Sequence, residues 1–183
     1  MARGLQSIVS ANEHVKQVRV NAHRIERLTL NAILLSKRVG DAAVGFSVIS
    51  DELRKFSKDL NGCMVELKTA INASVITEAM MLHRQHLQRL LDEACEQIDT
   101  GPLTLKSDQA AETHRVRMSV RLSELVDQSL ELLRFADVIS RSAKIEAAYG
   151  GAWREQLTDI AEQLAALIAH IDLDLQRMHR LTH

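Results

Sequence analysis

Apolar residues recur alternately three and four positions apart over most of the chain, which is the period of an amphipathic helix and not of a strand. The first seam runs through Ile8, Ala11, Val15, Val18, Ala22, Ile25, Thr29 and Ala32, with mostly Glu, Lys, Arg, His, Gln and Asn between them. The second holds Ile49, Leu53, Phe56, Leu60, Cys63, Leu67 and Ala70, then weakens at Ser74 and Thr77. Met81 restores it, Arg84 and Gln88 interrupt it, and Leu91, Cys95 and Ile98 resume it. The third contains Met118, Leu122, Leu125, Leu132, Ala136, Ile139 and Ala143; the fourth contains Leu157, Ile160, Leu164, Ile168, Ile171, Leu175 and Met178.

Helix-breaking residues fall between these seams. Gly40 separates the first from the second, Thr100–Gly101–Pro102 the second from the third, and Gly150–Gly151 the third from the fourth. Glycine accepts the left-handed cap that ends a helix, and proline cannot continue one. Ser107 and Asp108 suit the N-cap of the third helix. The pattern predicts four helices over about 1–39, 42–99, 107–149 and 152–182. With short connections they form one all-α, up-down-up-down antiparallel four-helix bundle of coiled-coil type over 1–183. The second helix is longer than its neighbours, so its end, or the 100–107 connection, folds back or projects.

The two halves also repeat. A shift of 111 residues lays Ala32 on Ala143, Gly40 on Gly151, Phe46 on Leu157, Ile49 on Ile160, Leu53 on Leu164 and Leu60 on Ile171. Heptads match one another easily, but here the turn glycines match in phase as well. The chain therefore reads as two hairpins, 1–99 and 107–183, with their tips at the same end.

Composition supports the helical reading and removes several functions. One proline and 3% aromatic content disfavour a β-sandwich or a doubly wound α/β domain. The net charge of −1 provides no basic field for nucleic acid and no polybasic run for anionic lipid. The longest uncharged stretches, such as Leu28–Ser36 and Gln163–Ile171, are nine residues long, half of what a membrane-spanning helix needs. The opening residues MARGLQSIVSANEH do not read as a secretory signal, and the expected location is cytoplasmic. Cys63 and Cys95 lack zinc spacing and, on one helix, lie too far apart to bridge.

Residues 31–54, NAILLSKRVGDAAVGFSVISDELR, hold the most specific signal. This segment resembles the hairpin tip of the cytoplasmic signalling domain of methyl-accepting chemotaxis receptors. The resemblance is carried without a gap by Asn31, Ala32, Arg38, Gly40, Gly45, Phe46, Val48, Glu52 and Arg54. It departs at Leu35, where the family usually has glutamate, at Ser36 and Lys37, where it has alanines, and at Ala43–Val44, where it has a glycine–arginine pair. The second tip, 142–164, is looser: it keeps Ala143, Ile145, Glu146, Ala147, Ala148, Gly151, Ala161 and Leu164 but has Gln156–Leu157 in place of the Gly–Phe pair.

The resemblance implies docking to a chemotaxis coupling protein, a histidine kinase or other chemoreceptor tips. It puts Ile33, Leu35, Arg38, Val44, Phe46, Val48 and Glu52 at candidate contact positions. Family receptors build this bundle from two chains; one chain supplying both hairpins implies a monomeric pseudo-dimer, or a homodimer that exchanges hairpins. The residues add two points of their own. The stretch LTLNAILL at 28–35 is apolar nearly all round, as in a wider core or in an exposed strip that packs on a partner. Tyr149 and Trp153 flank the second turn, where aromatic side chains serve as binding anchors or tuck beneath the turn.

Other chemistries leave weaker marks. Of eight histidines, His14 with His179 and His23 with His170 lie at similar heights, and His83 and His86 share a helix face. The alternative function is thus a bundle sensor that binds metal or haem through histidines; solvated or capping histidines are the plainer account, and no metal or other cofactor is expected. No Glu-x-x-His pair, phosphate loop or nucleophile elbow occurs. Neither His23 nor His83 has the lysine of a histidine phosphotransfer domain, and no enzymatic activity is expected. Gly62 interrupts the second helix as a candidate soft point, at a cost of about 1 kcal/mol relative to alanine.

Overall fold

The computed structural model describes residues 2–98 and 109–182. The chain forms α1 (Ala2–Val39), a 3-10 turn (Gly40–Ala43), α2 (Val44–Ile98), α3 (Gln109–Ala148), a second 3-10 turn (Gly151–Trp153) and α4 (Arg154–Thr182). Each helix packs on its sequence neighbour, and α1 also packs on α4, which closes an up-down four-helix bundle within one chain. The Thr100–Gly101–Pro102 break and the Ser107 and Asp108 caps lie outside the described residues.

The turns match each other. Gly40 has φ +79° and Gly151 has φ +56°, and each opens a 3-10 segment that leads into the next helix. A Cβ at either would meet nothing within 4 Å, so glycine is required there by backbone conformation and not by crowding. Gly150 is required for the other reason: a Cβ there would press on Leu157 and on the Ala147 carbonyl.

The main core joins all four helices through residues such as Val18, Ile25, Leu53, Leu60, Leu125, Ala136, Leu164, Ile171 and Leu175. The first and fourth seams lie inside as expected. The second and third are displaced: Ser57 and Met64 in α2, and Val126, Ser129, Leu133 and Ser140 in α3, are buried although the leucine pattern passes over them. Each of these is the 111-residue mate of a seam position, for instance Met64 of Leu175, Leu133 of Ala22 and Ser140 of Thr29. Three of the six are serines, whose polarity interrupts the apolar pattern. Ser129 donates to the Leu125 carbonyl at 2.7 Å and Thr29 to that of Glu26 at 2.9 Å, so polar residues sit inside with their donors satisfied. Ser57 donates across the hairpin to the Ala22 carbonyl, tying α2 to α1.

Toward the tips the core changes character. Phe46 and Leu157, mates in the repeat, meet among Ala32, Ala43, Ala143, Ala147 and Ala161. Small residues let the helices close around one large ring. At the opposite end, α2 runs on to Ile98, but its last described residue in the core is Ile71. No described helix is long and apolar enough to cross a membrane.

Candidate functional site

The candidate residues surround the two turns, and the structure sorts them by burial and by side. Phe46 has 0% exposure and fills the tip core, which corrects its assignment as a contact residue: it can hold the tip's shape but cannot touch a partner. Leu35 is half-buried against the same core, and Ile33 is also half-buried. Arg38, Val44, Val48 and Glu52 are exposed. Tyr149 is 74% exposed, beyond the hydrogen bonds Tyr149 N–H to Glu146 and Trp153 N–H to Gly150 that form the second turn. Trp153 keeps about two-fifths of its surface in solvent, at 39% exposure.

The stretch at 28–35 divides between both expected uses. Thr29 and Ala32 are fully buried and Leu28 packs on the core, so part of its apolar surface widens the interior. Leu34 is 60% exposed, and its mate Ile145 is 61% exposed, so each tip presents one aliphatic residue outward at the same position. Leu34 carried no weight in the resemblance; its exposure depends on which way the helix turns within the bundle.

The exposed candidates do not form one patch. Gly45 lies so close to the Glu146 carboxylate of α3 that a Cβ would collide with it, and Glu66 accepts from Arg121 of α3 at 2.9 Å. Residues 45, 52, 59 and 66 are spaced by sevens, so Glu52, with Val48 beside it, borders α3. Leu35 and Arg38 are one heptad beyond Leu28 and Asn31, which line a groove against α4. The candidate positions therefore wrap around the tip and border opposite sides of the bundle.

The histidine pairs expected at equal heights are not brought together. His14 Nδ1 lies 3.0 Å from Asp174 and His179 Nδ1 lies 3.2 Å from Asp127. His23 opens onto the α1/α2 groove and His170 onto the α1/α4 groove. Among the described residues, no group of three or more His, Cys, Asp or Glu side chains is placed to hold a metal ion. Burial and the nearby Glu66 carboxylate push the Cys63 thiol above its ordinary pKa, so it is a poor thiolate.

No protein-family model, curated protein or solved structure matches this chain.

Proposed function

We propose that the chain is a non-enzymatic signalling or scaffold protein whose hairpin tips dock a chemotaxis coupling protein, a histidine kinase or chemoreceptor tips. The observation that carries this reading is the pair of exposed aliphatics Val44 and Val48, one helical turn apart beside a glycine turn whose shape is held by the buried Phe46. Such a surface costs free energy in water and gains it back when a partner covers it. The residue pattern over 31–54 supports the kind of partner. In this reading the protein acts in the cytoplasm, and the second tip, with Glu155 at the position of Val44 and Asp159 at that of Val48, is the weaker docking face.

The test is capture of purified coupling protein and kinase by the immobilised chain. Val44→Glu and Val48→Glu each lower affinity by roughly tenfold, the loss typical of a truncated interface anchor. Leu173→Glu, an exposed position on α4 away from the tips, leaves binding unchanged. Wild-type protein that captures neither partner, or equal binding by all three variants, refutes the proposal.

A further inference from the structure

The 111-residue repeat allows each groove of the bundle to be compared with its own copy. Between α1 and α4 a groove of about 540 Å³ is lined by Arg24, Arg27 and His170, with Leu28 and Leu167 between them and no carboxylate. Among the described residues, neither the two arginines nor His170 is ion-paired to an acidic side chain. The repeat carries this groove onto the α2/α3 side, where the mates of its exposed residues Arg24, Arg27, Gln163, Ala166 and His170 are exposed as well, while those of Leu28, Asn31 and Leu167 lie deeper. There Phe135 stands for Arg24, Val138 for Arg27, Glu52 for Gln163 and Asp59 for His170.

The two copies have therefore diverged toward complementary surfaces. One is a basic groove with aliphatic walls. The other carries two carboxylates beside Phe135 and Val138, which are 56% and 62% exposed. Lys55, at the place of Ala166, is the one cation among the mates of the groove residues. Arg121, two heptads before Phe135, contacts Glu66, and Glu66 is one heptad after Asp59, so these positions share the α2/α3 side. In the closed ring of helix contacts, the α1/α4 and α2/α3 sides are opposite each other.

We infer that a second copy of this chain is the occupant of the groove: its Phe135 and Val138 enter between α1 and α4, while its Glu52 and Asp59 meet Arg24, Arg27 and His170. Charge sign and apolar content match across such a contact, and like-charged pairings of the same sides are disfavoured. Because unlike sides meet, each added copy leaves one side of each kind free, and the assembly is an open row instead of a closed dimer. Mates lie at equal heights, so neighbouring bundles run parallel with tips at one end. This inference does not depend on what the tips bind.

Sedimentation velocity tests it on the full chain. At low salt the average mass rises with concentration above the 20.5 kDa of one chain, without a plateau at the dimer. Raising the ionic strength from about 0.1 M to about 1 M, which shortens the screening length from roughly 10 Å to roughly 3 Å, returns it toward monomer. Arg24→Glu with Arg27→Glu, or Glu52→Arg with Asp59→Arg, each lowers association by at least roughly tenfold. Circular dichroism confirms that the surface variants stay helical. Mixing the two reversed variants restores association, because each then offers the other opposite charge. A chain that stays monomeric at low salt overturns the inference, as does a closed dimer insensitive to both reversals or a mixture that fails to associate.

Discussion

Phe46 illustrates how a residue can be central to a site without touching anything that binds there. Its ring is enclosed by Leu157 and by alanines from all four helices or their turns. Replacing it with alanine removes a large side chain from a place where small neighbours cannot collapse inward. Phe46→Ala should lower unfolding free energy by about 3–5 kcal/mol, read from urea denaturation. A variant as stable as wild type would show that the tip core is not packed as described. The same surroundings explain why the residue misleads when read alone: a phenylalanine beside a turn looks like a docking anchor until the chain that covers it is known. Serines mislead in the other direction. Ser36, Ser50 and Ser140 are buried, and the hydroxyls of Ser36 and Ser50 return to the carbonyls of Ala32 and Phe46 at 2.8 Å, so polar letters mark interior positions.

At the scale of the element, α2 is the exceptional helix, with 55 residues against 38 in α1, 40 in α3 and 29 in α4. Gly62 stands about a third of the way along it, on an exposed face, and a Cβ there meets nothing within 4 Å. Its backbone is helical, so no left-handed conformation requires glycine. Gly62→Ala should therefore stabilise the protein by about 0.4–1 kcal/mol. For a chain of this size that is a rise in Tm of roughly 2–4 °C per kcal/mol, visible by thermal circular dichroism. A lowered Tm would mean that α2 needs the glycine to bend. The helix boundaries were legible because glycine and periodicity agree at Gly40 and Gly151. The deep seams of α2 and α3 were legible only through the repeat, since Ser57, Ser129 and Ser140 stand within them and polar residues interrupt an apolar pattern.

Across the whole molecule, stability is distributed unevenly. Beyond Ile71, no described side chain of α2 joins either core, and Cys95 alone among them is buried. Opening free energy follows buried contacts, so backbone amides over 73–90 should exchange with solvent well before those over 50–71. Hydrogen-exchange mass spectrometry resolves the two segments, and equal protection would mean that the far half of α2 is held as firmly as the near half. The candidate docking positions depend on this same scale. Resemblance placed Leu35, Arg38, Val48 and Glu52 along one hairpin, whereas closing the bundle puts the first two beside α4 and the last two beside α3.

The sequence alone determined the class of fold, the two glycine turns and the 111-residue repeat of the pattern, because periodicity and backbone freedom are local properties that each segment carries with it. Only the tertiary structure decided which face of each helix is deep, that Phe46 is core while Leu34 is surface, and that His14 and His179 meet carboxylates instead of each other. Those outcomes depend on the rotation and register of four helices packed together, and a heptad permits several of them until the whole bundle closes.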